Sequence, residues 1–231
     1  MTSSSLLDRE KFVTFLFAVG SDCALVPSLL VTAKNRKHFE VFVGFSAIVT
    51  GFLYNACDAL DVSLFLTQDE WHRINNVMGI TYCALLAVYL MCNTSNDWNT
   101  LLRYNAFASV TVAQVRDGFW MERSQWSVLV IAAYALLPIL KFAKLKCVPA
   151  FHRQKTRNGL AFAAIAAAFF VMGLDETNDP FRISHSIAHV FMGATLYNLW
   201  GIAPTPEALS KKSDDQIDVP AISRPRMKSW A

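Results

Sequence analysis

Residues 39–60 read FEVFVGFSAIVTGFLYNACDAL, and this stretch decides the class of protein. Between Glu40 and Asp58 it carries no charged side chain. A helix needs about 20 residues to cross the hydrocarbon core of a bilayer, and this stretch is long enough. Its small residues, Gly44 and Gly51 among them, permit close contact with neighbouring helices. We therefore expect residues 39–60 to form a membrane-spanning helix.

The rest of the chain repeats this pattern. Of 231 residues, 54% are hydrophobic and only 17% are charged, whereas about a quarter of the residues in a soluble domain are charged. The sequence predicts an all-α, polytopic bundle of seven transmembrane helices. The other six predicted segments are 12–33, 76–92, 101–115, 126–145, 158–174 and 183–203. Residues 1–11 are then a short N-terminus outside the cytoplasm, 12–203 the membrane domain, and 204–231 a disordered cytosolic tail.

Lysine and arginine predict the orientation, because cytoplasmic loops carry an excess of both. With seven spans, 15 of the 21 basic residues fall on the side of the C-terminus, mostly in the loops at 34–38 and 141–157 and in the tail. We therefore expect the N-terminus outside or in a lumen and the C-terminus in the cytosol, in the plasma membrane or the secretory pathway. Membrane lipids are the expected partners, with anionic headgroups at the cytosolic basic loops. The net charge of +3 is too small and too scattered to predict nucleic-acid binding.

Ionisable side chains inside a spanning helix are candidates for function, because the bilayer makes them costly. His185 and His189 stand four residues apart, which puts both imidazoles on one helix face, where they can share a cation such as zinc. The alternative is a pair of core histidines bonded to neighbouring polar groups. The predicted topology brings Asn55, Asp58 and Asn76 to the same membrane depth. One polar site facing away from the cytosol is therefore expected.

Three stretches carry a resemblance to a known family. Residues 176–179 (ETND) and 185–189 (HSIAH) resemble the last-helix signature of the myomaker and transmembrane-protein-8 family. That family belongs to the CREST superfamily of seven-helix membrane hydrolases. Residues 54–58 (YNACD) are similar to its Tyr-His-Ala-Cys-Asp at the end of the second helix, and residues 76–79 (NVMG) to its Asp-Phe-Leu-Gly at the start of the third.

The resemblance implies a zinc ion held by three histidines, with a serine and an aspartate nearby, for hydrolysis of a lipid amide or ester. His185 and His189 match two of the three ligands. The third histidine is Asn55 here, the aspartate is Asn76, and the serine falls at Gly51. An asparagine amide is a poor zinc ligand and is not a base, so these substitutions weaken the implied chemistry.

Two readings of the function remain open at this point. The favoured one is a myomaker-like membrane protein with a degenerate site, which acts without catalysis as a scaffold or in membrane remodelling or lipid handling. The alternative is a zinc-dependent lipid amide or ester hydrolase, similar to ceramidases or to phospholipases acting on glycosylphosphatidylinositol. In that case His72 or Asp58 is the possible third ligand, because each lies one helical turn from a substituted position.

Overall fold

The computed structural model describes residues 3–117, 125–146, 148–173, 179 and 182–204. Within these ranges the regular structure is α-helical, and no strand forms. The helices are α1 (Ser3–Asp22), α2 (Val26–Lys34), α3 (His38–Leu60), α4 (Gln68–Leu90), α5 (Asn96–Asp117), α6 (Gln125–Leu145), α7 (Arg153–Met172) and α8 (Ile183–Trp200).

α1 and α2 follow one another with only a single 3-10 turn, Cys23–Leu25, between them. Pro27 lies in the first turn of α2 and has no N–H, so the helical hydrogen bond that this residue would donate is missing. The turn keeps right-handed helical backbone angles at both flanking residues, and the chain continues in the same sense. The described chain therefore forms seven helical segments, and each of the seven predicted segments falls on one of them.

Three of these segments are long and apolar enough to cross a membrane, namely Lys11–Lys34, His38–Leu60 and Gln68–Leu90. This finding supports a membrane protein with transmembrane helices. Large apolar side chains on their outer surfaces are exposed, as expected where a helix faces lipid. Examples are Leu30, Phe42 and Phe45.

α4 begins earlier than the sequence suggests. Its first turn is fixed by a reciprocal capping box, in which the Thr67 hydroxyl accepts from the Glu70 N–H while the Glu70 carboxylate accepts from the Thr67 N–H. The helix therefore starts at Gln68, and the predicted segment beginning at residue 76 misses its first two turns. His72 consequently lies within the helix, on the same face as Asn76.

Short connections make successive helices antiparallel neighbours, and α4 lies between α3 and α5. α8 packs against α1, α2 and α7, whereas α7 contacts no other described helix. The largest core cluster joins α3, α4 and α8 through Val43, Tyr82, Leu85 and Trp200. The end of the bundle where α3 ends and α4 and α8 begin is called the histidine end. The opposite end, where α3 begins, is called the lysine end.

Candidate functional site

The polar side chains that the sequence singled out meet at the histidine end. α3 brings Asn55 there two turns before it ends, α4 brings Asn76, and α8 brings His185 and His189 in its first two turns. α1 adds Asp22, its last residue. These residues, here named the histidine cluster, are Asp22, Asn55, Asn76, His185 and His189.

Asp22 is the centre of the histidine cluster. Its side chain is buried, and its Oδ1 lies 3.2 Å from Nδ1 of His189. Its Oδ2 accepts a hydrogen bond of 2.7 Å from Nδ2 of Asn55. Both carboxylate oxygens thus have a donor, from two helices far apart in the chain. A buried carboxylate is tolerated only with such partners, so this network accounts for the charge inside the bundle.

Gly51 provides the space for this carboxylate. A Cβ atom at position 51 would lie 3.1 Å from Oδ2 of Asp22 and 3.2 Å from its Cγ. Contacts this short require the neighbour to shift, and Asp22 is fixed by Asn55 and His189. Gly51 and Asn55, two of the residues singled out in the sequence, therefore both contact Asp22.

His185 and His189 lie side by side, as their spacing predicts, with ring centroids 4.5 Å apart. The backbone N–H of His185 donates to Oδ2 of Asp179 at 3.1 Å, so this aspartate caps the first turn of α8. Residues 176–178, which belong to the resemblance, lie outside the described residues.

The α4 side of the site forms its own hydrogen bonds. Nδ2 of Asn76 lies 3.3 Å from Nε2 of His72 and 3.4 Å from Oε1 of Gln114. The His72 ring stacks on Tyr54, with centroids 4.6 Å apart. Neighbouring Asn75 accepts from the Thr50 hydroxyl at 3.4 Å. Asn76 and His72 are therefore partners of each other, and His72 packs against α3.

Asp58 lies at the rim of this end. Its Oδ2 pairs with the Arg182 guanidinium at 2.9 Å, and its Oδ1 accepts from Gln68. Arg182 also donates to the Tyr54 hydroxyl at 3.1 Å. Arg182 directly precedes α8 and Asp58 lies in the last turn of α3, so this ion pair joins two helix ends that are 124 positions apart in the sequence.

The donor set does not fit a zinc site with three protein ligands. Among the described residues, no group of three or more His, Cys, Asp or Glu side chains is placed to hold a metal ion. Asn55 donates its amide N–H to Asp22, and an asparagine amide is a poor zinc ligand. Asp58 is paired with Arg182, and His72 with Asn76. Of the ligands that the resemblance implies, His185 and His189 are the two that lie next to each other.

A cavity of about 170 Å³ adjoins the histidine cluster. Asp22, His189, Asn75 and Asn76 form its polar wall. The remaining wall is largely apolar and runs along α3, α4 and α8; its members are Leu25, Ala47, Gly79, Ile80, Tyr82, Cys83, Met192 and Leu196. A cavity of about 150 Å³ suffices to bind benzene, so this one admits a small polar group with an attached hydrocarbon segment.

Asp22 is the site residue that the sequence reasoning missed. A lone carboxylate in an apolar run is a functional candidate by the same rule that singled out His185 and His189. Between Lys11 and Lys34, Asp22 is the single ionisable carboxylate in the stretch, and that signal was available. The sequence did not reveal the partners of Asp22, because Asn55 and His189 lie 33 and 167 residues away.

A second polar cluster occupies the lysine end. The Glu40 carboxylate pairs with the Arg103 guanidinium at 3.1 Å, and Arg103 also donates to the Tyr89 hydroxyl at 3.2 Å. The Lys37 ammonium lies 3.4 Å above the Tyr89 ring and donates to the carbonyl of Pro204 at 2.7 Å. Trp200 closes the group. These residues, here named the lysine cluster, are Lys37, Glu40, Tyr89, Arg103 and Trp200.

Comparison with known proteins adds one finding. A search of curated proteins gives no match to this sequence. Residues 10–190 match a family described as a protein of unknown function, DUF3522. The matched range runs from α1 into α8 and includes every residue of both clusters except Trp200. Since the match covers most of the chain, the protein belongs to the DUF3522 family.

Proposed function

We propose that this protein is a multi-pass membrane protein that binds part of a membrane lipid in the cavity beside Asp22 and His189, without hydrolysing it. Scaffolding, membrane remodelling or lipid handling would be the physiological use of such binding. The observation that carries the proposal is the two-sided lining of the cavity. A polar wall of one carboxylate, one imidazole and two amides faces an apolar wall, as an amphipathic ligand requires.

The absence of catalysis is supported by the substituted positions. Asn55 donates to the Asp22 carboxylate and Gly51 packs against it, so these two positions surround a buried charge and supply no metal ligand. In this arrangement the carboxylate stabilises one imidazole directly. The cluster then offers a ligand hydrogen-bond donors and acceptors, and no nucleophile is needed for that role.

Seven spans with an outer N-terminus and a cytosolic C-terminus are part of the proposal. The helical segments that would complete the seven are α5, α6, α7 and α8, beside the three that are long and apolar enough to cross. The lysine end would face the cytosol, together with a concave basic surface at the start of α7 lined by His152, Arg153, Gln154 and Arg157. Anionic headgroups fit that surface electrostatically.

Topology is tested with two epitope tags, one before Met1 and one after Ala231. In intact cells with the protein at the surface, only the N-terminal tag should bind antibody. The C-terminal tag should become accessible after permeabilisation. Labelling of the C-terminal tag in intact cells would contradict the proposed orientation.

Lipid binding is tested by photolabelling in vesicles of phosphatidylcholine that contain a phosphatidylcholine with a photoactivatable acyl chain. The labelled peptides are identified by mass spectrometry. Peptides covering residues 75–83 and 192–196, which line the cavity, should be labelled. Gly79→Leu should abolish that label, because Gly79 lines the cavity and a Cβ there meets nothing within 4 Å. Unchanged labelling of these peptides in Gly79→Leu would refute binding in the cavity.

The second candidate is the zinc-dependent lipid amide or ester hydrolase with a remodelled third ligand. The adjacent imidazoles of His185 and His189 favour it. Metal analysis of purified protein separates the two candidates. The proposal of binding without hydrolysis expects no stoichiometric zinc. Zinc near one atom per chain, lost in His185→Ala and His189→Ala, would contradict this proposal and support the hydrolase.

A further inference from the structure

A groove of about 500 Å³ runs between α1 and α8 on the lateral surface of the bundle. It shares no lining residue with the cavity of the histidine cluster. Its walls are almost wholly apolar, and several of its side chains, such as Leu16 and Val190, are exposed at the rim. The full lining is Leu16, Phe17, Gly20, Ser21, Ile183, Ser186, Ile187, Val190 and Phe191.

One polar atom in this groove lacks a partner. The Ser186 hydroxyl is buried and, within the described part of the chain, makes no hydrogen bond. Several other hydroxyls of the bundle, such as those of Ser28, Thr50 and Thr195, donate to a carbonyl one turn earlier in their own helix. The Thr81 hydroxyl, like that of Ser186, has no partner among the described residues, but it does not line the groove. Ser186 lines the groove and is 5% exposed, so its hydroxyl lies in largely apolar surroundings. An unpaired hydroxyl in an apolar environment costs free energy, and it therefore favours a ligand that offers an acceptor.

The shape of the groove follows from two glycines. At Gly193, α8 meets the 3-10 turn so closely that a Cβ would lie 2.2 Å from the carbonyl oxygen of Ala24. This contact closes the space between the two segments on the side towards the middle of the bundle. At Gly20, nearer the groove, a Cβ would meet nothing within 4 Å. The groove is therefore bounded by this close contact and has open space beside Gly20.

We propose that this groove binds an acyl chain of a membrane glycerolipid, with the Ser186 hydroxyl donating to the ester carbonyl at the head of that chain. The inference rests on the proposed membrane insertion and adds a second lipid site to the cavity. Ser186 stands three residues into α8, about 4.5 Å along the axis from its first residue. If that end of α8 lies at the membrane surface, the hydroxyl is at the level where ester carbonyls begin the hydrocarbon region.

A second copy of the chain is a poorer occupant. The backbone carbonyls of a partner helix are already used within that helix, so they do not supply a free acceptor. The ester carbonyl of a lipid has no donor of its own in the molecule. A single hydrocarbon chain also fits a groove lined by the small residues Gly20 and Ser21 beside the larger Phe17 and Val190.

The test uses the same photoactivatable phosphatidylcholine in phosphatidylcholine vesicles, with the full-length protein. Peptides covering residues 16–21 and 183–187, which contain groove residues and no cavity residue, should be labelled in the wild type. Ser186→Ala should lower that label about fivefold under subsaturating lipid, which corresponds to the loss of one net hydrogen bond. Gly20→Leu should abolish it by filling the groove. Should Gly20→Leu fail to fold, Ser186→Ala alone decides the outcome, because it removes one oxygen atom and leaves the packing unchanged.

Gly79→Leu is the matched control, since it fills the cavity and leaves the groove open. It should leave the groove label unchanged, while Gly20→Leu should leave the cavity label unchanged. A labelled cavity with an unlabelled groove would overturn this inference and leave the proposed function standing. A labelled groove with an unlabelled cavity would contradict lipid binding in the cavity and leave this inference standing. Crosslinking between two copies through residues 16–21 would also overturn this inference, because a second protein chain would then occupy the groove.

Discussion

The two polar clusters of this bundle differ in what surrounds them. In the lysine cluster, Glu40 has no exposed surface, and Lys37 is 2% exposed and lies over the rings of Tyr89 and Trp200. In the histidine cluster, Asp22 is also buried, at 5% exposed, but it lines a cavity together with His189. Charges enclosed by side chains hold helices in place. Charges that line a cavity are available to a ligand as well.

This difference explains why only one cluster is proposed as a binding site. The lysine cluster joins α3, α4, α5 and α8 through contacts within the protein, and Lys37 also fixes Pro204 at the end of the described chain. In the histidine cluster, by contrast, Asp22, Asn76 and His189 line the cavity. Substitutions in the two clusters should therefore separate stability from ligand binding.

The largest effect is expected from Glu40→Gln in the lysine cluster. This change leaves the partly buried Arg103 guanidinium without its carboxylate, and breaking such a pair costs about 3 kcal/mol. Unfolding in detergent, followed by tryptophan fluorescence, measures the loss, and cavity labelling of the protein that remains folded should be normal. The double variant Glu40→Leu with Arg103→Met removes both charges and should recover most of the stability. Equal stability of Glu40→Gln and wild type would show that the pair contributes nothing.

A smaller effect on stability is expected from Asp22→Asn in the histidine cluster. The substituted amide can turn only one oxygen to its two donors, so either Asn55 or His189 loses its acceptor, at a cost of about 1–2 kcal/mol. Asp22 adjoins the cavity, where water can solvate the unpaired group, and this limits the loss of stability. Photolabelling of the cavity should fall clearly, because Asp22 is part of its polar wall. The exchange Asp22→Asn with Asn55→Asp restores a carboxylate beside an amide and serves as the control. If the exchange is no more stable than Asp22→Asn alone, the hydrogen bond between these two residues is not the cause.

The smallest effect is expected from pH. Burial lowers the pKa of Lys37, in the loop between α2 and α3, to about 8, with Arg103 lowering it further and Glu40 and Cys92 opposing the shift. Between this pKa and the ordinary value of 10.5, the unfolded chain binds more protons than the folded one, so the stability that depends on Lys37 increases with pH. From pH 8 to pH 9 the gain should be about 1 kcal/mol. Lys37→Met should remove this gain, and an identical pH dependence in both proteins would contradict the assignment.

The sequence predicted the helical segments well, and for a local reason. Apolar runs of about 20 residues and the polar stretches between them are visible without knowing any contact, and the seven segments fall on helices. The start of α4 was misplaced because Thr67 and Glu70 stabilise two polar turns through capping, which an apolar-run criterion does not detect. The adjacency of His185 and His189 also followed from spacing alone, since four residues make about one helical turn.

The site itself was only half visible in the sequence. The choice of Asn55, Gly51 and Asn76 came from a resemblance, which gave them no role in this chain. The structure gives two of them a role, because the Asp22 carboxylate packs against Gly51 and accepts from Asn55. The possible third ligands, His72 and Asp58, remain predictions, and both have partners in this arrangement.

Composition and spacing determined that the described chain is helical and that two imidazoles share a helix face, whereas three of the seven predicted membrane segments form helices long and apolar enough to cross a membrane. Tertiary structure alone decided that Asp22 meets His189, 167 residues away, that Arg103 meets Glu40, and that Ser186 finds no partner among the residues described. The physical reason is range. A helix and its faces follow from neighbours within a turn, whereas a buried charge is assigned its partner by the packing of whole helices, which no local pattern encodes.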